Sequence, residues 1–246
     1  MLQVQTHAWG VGESEVDENG KRLRQVWILQ TLCSLGTLGR AIDSGRFLDP
    51  ATGGPDIRAI LLTTCEIAGA LTFLHGVGVI HGDLGANNVL LCPSERSDWD
   101  ARGYTAKVSD FGLSRPTTSA SLNNIPRTAF GTVVYMAPEL MADDVMTAAA
   151  DTFALGVLVW EMMRGQRAWR GMGPLQVVAA VSFDKRSLEV PHAWPEGVQA
   201  LVRACLTANP ARRPSAAEIL KRVQALLREL GPLPEERESE REGVSN

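Results

Sequence analysis

Apolar and polar positions change their period several times along the chain, and each change marks an element. Residues 2–9 and 26–32 read as short extended runs. The polar stretch VGESEVDENGK between them contains Asn19-Gly20, a hairpin turn signal because both residue types tolerate positive φ. From Thr37 the spacing turns helical. Pro55-Asp56 reads as a helix start, after which Ile57, Ile60, Leu61, Thr64, Ala68, Leu71 and Leu74 recur on one face. Val77-Gly78 stops that helix, and Val79-Ile80 opens a short extended piece. Residues 94–103 (SERSDWDARG) are polar and turn-rich, the tip of a surface hairpin. Residues 148–163 are strongly apolar and predict a buried helix, and further helical patches cover 174–181, 197–207 and 215–229. After Gly231 the chain is bounded by proline, highly charged, and reads as disordered. No repeat and no linker divides it. The pattern is a little strand at the front, then mostly helix.

Composition narrows the classes. At 246 residues the chain holds one large domain or two small ones, and its 45% apolar and 21% charged residues are globular averages. No apolar run reaches the roughly 18 residues of a membrane span, and the first residues lack a basic start and apolar core. Net charge is −4, of which the tail PEERESERE carries −3, so neither a nucleic-acid nor a membrane partner is expected. Cys33, Cys65, Cys92 and Cys205 lie far apart with no metal-binding spacing. They read as reduced thiols of a cytoplasmic protein.

Three strings carry chemistry: HGDLGANNVLL over 81–91, SDFGLSR over 109–115 and GTVVYMAPEL over 131–140. An Asp (Asp83), an Asn five residues on (Asn88) and a second Asp before Phe-Gly (Asp110) fit a Mg²⁺–phosphate site. Magnesium takes a few hard oxygen ligands together with waters and substrate phosphates. Asn88 and Asp110 supply such oxygens, leaving Asp83 to orient a hydroxyl or accept its proton. Taken singly, each string has a bland reading: His81 as a packed histidine, Asp110-Phe111-Gly112 as a turn. Their order and spacing together argue for a shared site.

In these residues the chain, from about residue 2 to 230, resembles the second half of a eukaryotic protein kinase domain. The resemblance implies an α+β fold of the protein-kinase type, a mostly helical large lobe with a small remnant β-hairpin of the small lobe. Residues 1–35 correspond to the partial small lobe and hinge, 36–230 to the large lobe and 231–246 to a disordered acidic tail. It implies ATP and Mg²⁺ as cofactors and a protein as substrate. By resemblance Asp83 is the catalytic base, Asn88 and Asp110 bind metal, and His81, Phe111 and Gly112 complete the two motifs. AADTFALGVLVWEM resembles the central helix of the large lobe, with Asp151 anchoring the catalytic-loop backbone. CLTANPARRPSAAEIL resembles the closing helices, with Arg213 the partner of Glu139 in MAPE. QVWILQTLCSLGTL resembles the last small-lobe strand and hinge: Gln30 as gatekeeper, the Thr31 carbonyl and Cys33 N–H toward adenine, Leu90 beneath it. GTVVYMAPE, with Thr132, is most similar to serine/threonine kinases of the tyrosine-kinase-like group.

The resemblance breaks in three places. A Gly-rich loop, a strand lysine and its helix glutamate have no counterparts here; Lys21, Lys107, Lys185 and Lys221 are the four lysines and none is suitably placed. The expectation is that Met1 is not the native start of the domain. Gly82 stands where the family has Arg, removing the usual partner of an activation-loop phosphate. Gly85 stands where serine/threonine kinases have Lys, removing a cation near the transferring phosphate. Two other readings stay open, a non-catalytic pseudokinase-type binding module and a small-molecule phosphotransferase. The second shares HGD but lacks the MAPE, DTFALG and RPS strings.

Overall fold

The computed structural model describes residues 2–16, 22–112, 114–116, 133–143 and 146–232. The Asn19-Gly20 turn, Thr132 and nearly all of the acidic tail lie outside the described residues. The chain begins with an antiparallel hairpin, β1 (Thr6–Val16) and β2 (Arg22–Gln30), in which Trp9 faces Ile28 and Val11 faces Val26. Residues before β1 do not belong to that hairpin. Val4 N–H donates to Val108 O and Val108 N–H to Leu2 O, so the first residues lie along the large-lobe strand β5 (Tyr104–Val108).

Helix α1 (Leu38–Asp43) starts where Thr37 accepts the Arg40 N–H. Helix α2 (Ile57–Gly76) starts at Asp56, whose carboxylate accepts the Ala59 N–H, the cap expected from Pro55-Asp56. β3 (Val79–Ile80) pairs with β6 (Arg115–Pro116), and β4 (Val89–Pro93) pairs antiparallel with β5. The chain then runs through α3 (Pro138–Asp143), α4 (Ala148–Arg164) and α5 (Pro174–Val178), which passes into a π-helical turn over Ala179–Phe183. It closes with α6 (Glu196–Cys205) and α7 (Ala216–Leu230).

α4 is the axle of the lobe. Its residues 150–163 are all buried, with α2 packed on one side and α6 on the other, while α7 packs on α2. An apolar helix of this kind is stable only inside a core. Alone among the described residues, α2 is long and apolar enough to cross a membrane, yet Ile60, Ile67 and Leu71 are fully buried in this same core. Ser215 begins α7 with a reciprocal cap: its hydroxyl accepts the Glu218 N–H and the Glu218 carboxylate accepts the Ser215 N–H.

One expectation is corrected. Cys33 and Cys92 form a disulfide, leaving Cys65 and Cys205 as free thiols. The Leu35 N–H donates to Leu91 O and the Leu91 N–H to Gly36 O, so the hinge is laced to β4 and the two sulfurs meet across 59 residues. No spacing rule reveals such a pair.

Candidate functional site

The first two strings converge on one knot of hydrogen bonds, against which Tyr135 of the third packs its ring. The turn after Asp83 closes when the Asn88 N–H donates to Gly85 O. It aims the Asn88 amide back at Asp83, where Nδ2 donates to the Asp83 carbonyl at 2.7 Å and to Oδ2 at 3.1 Å. Its amide oxygen is left pointing elsewhere. The Asn88 carbonyl accepts both the N–H (2.8 Å) and the hydroxyl (3.0 Å) of Ser109, so Asp110 begins one residue from it. Residues 22 apart in sequence are thus joined through β4 and β5, which lead into the two loops.

His81 is buried and fixes that junction. Its Nδ1 accepts the Asp83 N–H at 3.3 Å, so Nε2 carries the proton and donates to Ser109 O at 3.0 Å. Its ring lies 5.3 Å from that of Phe111. Asp110 is exposed and holds φ +60°, a left-handed conformation that few non-glycine residues adopt. The Gly112 N–H closes on its Oδ1 at 3.2 Å.

Asp151 of α4 holds the loop from beneath. It is 1% exposed, and it accepts the His81 N–H on Oδ2, the Gly82 N–H on Oδ1 and His75 Nε2 on Oδ2, all within 2.9 Å. Gly82 sits at φ +75° to make that bond, so an Arg there would be strained as well as charged. Gly85 is glycine for a different reason: a Cβ would meet the Tyr135 ring at 2.9 Å. Tyr135 is itself fixed, its hydroxyl donating to Glu161 Oε2 at 2.9 Å in the core. Burial pushes the Glu161 carboxyl up from the usual glutamate range, and it pushes the Tyr135 hydroxyl up as well.

Glu139 and Arg213 form a bidentate pair, two bonds of 2.7 Å. Arg213 also donates to the Thr207, Ala149 and Ala208 carbonyls, so each N–H of a fully buried guanidinium is engaged, and it lies 4.9 Å over the Phe153 ring. Beside the knot, at the hinge, the Thr31 carbonyl and Cys33 N–H take no backbone hydrogen bond among the described residues, while the Thr31 N–H is used by Gln5 O. Leu90, on β4, is half-buried.

A second buried cluster escaped the sequence reading. Arg102, on the excursion between β4 and β5, donates to Glu66 and Asp100 at 2.7–3.0 Å and to Thr63, and stacks 4.7 Å from the Tyr104 ring. Glu66 also accepts the Ala106 N–H. This cluster clamps α2 to β5. The signal was the single acidic residue of the otherwise apolar helix α2, which demands a cation somewhere.

Comparison with known proteins decides the class. The family model for protein tyrosine and serine/threonine kinases matches residues 18–223. The chain belongs to the protein kinase family. It is 34% identical over 181 residues to the serine/threonine-protein kinase CTR1 of Arabidopsis thaliana, covering 73% of this chain and 21% of that protein. It is 35% identical over 195 residues to human mitogen-activated protein kinase kinase kinase 11, covering 73% of this chain and 22% of that protein. A Drosophila melanogaster mitogen-activated protein kinase kinase kinase is 30% identical over 212 residues, 85% of this chain. The kinase domain described here therefore spans about a fifth of the length of these relatives. Its α+β architecture, helical lobe and small paired strands, is the kinase-like fold.

Proposed function

We propose that this kinase domain transfers the γ-phosphoryl group of ATP to serine or threonine hydroxyls of a protein substrate, with Asp83 accepting the hydroxyl proton. The knot joining Asp83, Asn88 and Ser109–Asp110 carries this reading. Among the described residues no group of three or more His, Cys, Asp or Glu forms a closed cage. An amide oxygen and an exposed carboxylate suit Mg²⁺ shared with phosphates, since Mg²⁺ keeps waters and substrate oxygens in its shell. Asn88 and Asp110 would hold that ion, which when bound draws charge from the phosphate oxygens.

This chain's own residues supply the rest. His81 and Asp151 set the catalytic-loop backbone so that Asp83 is held by Asn88 from one side. The open Thr31 carbonyl and Cys33 N–H match the edge of adenine, and Leu90 forms its floor. Glu139 and Arg213 fix the end of the substrate-binding segment, to which Thr132 also belongs. The pseudokinase-type binding module is the second reading, favoured by Gly82 and by the packing of Tyr135 against Gly85, which leaves no room for a lysine.

Transfer of radiolabelled γ-phosphate from Mg²⁺–ATP to a generic protein acceptor tests the proposal. Asp83→Asn should lower the rate by roughly 10²–10⁴-fold, the usual contribution of a positioned base, without moving the melting temperature. Magnesium removal should abolish transfer. Absence of transfer, together with absence of Mg²⁺–ATP stabilisation, would leave the binding module standing.

A further inference from the structure

A roomy cavity lies away from the knot of hydrogen bonds. About 370 Å³ opens between α3, α4, the π-helical turn and the end of α6, whereas the hollow beneath Asp83 and Gly82 is about 20 Å³, room for one water. Its floor is apolar: Phe153, Val157, Val181 and Leu206. Its mouth is not. Lys185, Arg186 and Ser187 stand exposed at the rim, and among the described residues neither cation has a carboxylate within 4 Å. Glu139, the acidic residue in the wall, is already matched by Arg213.

Backbone strain is concentrated here. Three non-glycine residues among those described hold positive φ: Asp110 in the catalytic knot, and Trp169 and Lys185, both lining this cavity. Strain of this kind survives where the surroundings enforce it, commonly at ligand sites. Val181 belongs to a π-helical turn, another irregularity frequent at functional sites. The turn and its neighbours position the rim: the Arg186 N–H donates to Ala180 O, Lys185 Nζ donates to Ser182 O, and the Arg186 guanidinium lies 5.8 Å over the Trp169 ring.

We propose that this cavity binds a small amphiphilic carboxylate, a medium-chain alkyl or aryl acid with its apolar body on Phe153 and Val157 and its headgroup on Lys185 and Arg186. A volume in the ligand-sized range, an apolar interior and a few polar groups on one side are what such a site requires. Two cations at the mouth, without a carboxylate partner among the described residues, select an anion over a neutral or cationic head.

Calorimetric titration of the full chain with decanoate, below its micellar concentration, tests the assignment, with decyltrimethylammonium as the probe of opposite charge. Decanoate should bind at one site and the cation should not. Lys185→Gly combined with Arg186→Gln removes both charges, relieves the strained φ and keeps a flat group over Trp169. It should weaken decanoate by about tenfold or more while circular dichroism stays unchanged. Ala142→Trp, on an exposed helix position lining the cavity, should abolish binding by filling it; Ala208→Trp does the same from the opposite wall should the first fail to fold. Absent binding, equal binding of the cationic probe, or undiminished affinity in the charge or filling variants would each overturn the proposal.

Discussion

The VWIL run of β2 and the α4 helix are both unbroken apolar stretches of the chain, and their surroundings are opposite. Every residue from Ala150 to Met163 of α4 is buried. In the hairpin, Trp9, Val11, Val26 and Ile28 on one face and Trp27 and Leu29 on the other are all more than half exposed. Strands covered on both faces read as unbroken apolar runs, and VWIL has that form. A hydrophobic sequence thus specifies what an element would bury, while the layers beside it decide whether burial happens. In the large lobe those layers are α2, α6 and α7. Around the hairpin the described residues supply none, and only the strap through Gln5 and the hinge ties it to the rest.

The comparison predicts that stability resides in the lobe, and the largest test is its buried ion pair. Glu139→Ala leaves the Arg213 guanidinium desolvated and half-paired. Breaking such a pair typically costs about 3–5 kcal/mol, which should appear as a clear fall in melting temperature. Stability unchanged within error would mean that the pair is not holding α3 to the closing helices. Next in size is Gly85→Lys, the residue that the resemblance to serine/threonine kinases places there. Its Cβ collides with a Tyr135 ring pinned by Glu161, so a loss of roughly 1–3 kcal/mol is expected by chemical denaturation. Gly85→Lys combined with Tyr135→Ala should recover part of that loss if the ring is the obstacle.

Legibility followed the same divide between local and distant information. Helix starts and periods were readable because their determinants lie within a few residues: Asp56 before α2, the helical spacing from Ser215, the apolar density of α4. The convergence of HGDLGANN and DFG was readable because they are short strings with fixed order, although nothing in them states that Ser109 would grip the Asn88 carbonyl. The Cys33–Cys92 bond, the Arg102 clamp on Glu66 and the ring stacked on Gly85 were hidden. Each joins residues 36 or more apart, and only the fold creates the contact. The π-helical turn was hidden too, since a single turn of five residues is too short for its period to show.

A smaller effect separates surface chemistry from core chemistry within the lobe. The Glu218 carboxylate accepts the Ser215 N–H at 2.7 Å, and this bond holds its pKa below the ordinary glutamate value. A lowered folded pKa means that the unfolded chain binds the proton more readily. The contribution to stability is therefore present above the ordinary glutamate range and is lost as pH falls through the folded value. Glu218→Gln should melt slightly lower than wild type near neutral pH and converge with it in acid. Parallel melting curves at every pH would show that the cap carries no charge-dependent stability.

The smallest expected change in stability lies in the hairpin, and it is the sharpest test of the contrast. Val26→Thr with Ile28→Thr preserves β-branched residues suited to a strand while removing apolar surface from one exposed face. Nothing buried is lost, so melting should move by no more than a surface substitution does, about 0.5 kcal/mol or less. The same pair of changes inside α4 would be ruinous. Solution behaviour, by contrast, should respond: a contiguous apolar face with free strand edges promotes association, and the double variant should show less concentration-dependent growth in light scattering. If instead the variant unfolds, the hairpin's apolar face is buried against something within the chain, and the division between a self-sufficient lobe and an uncovered hairpin collapses.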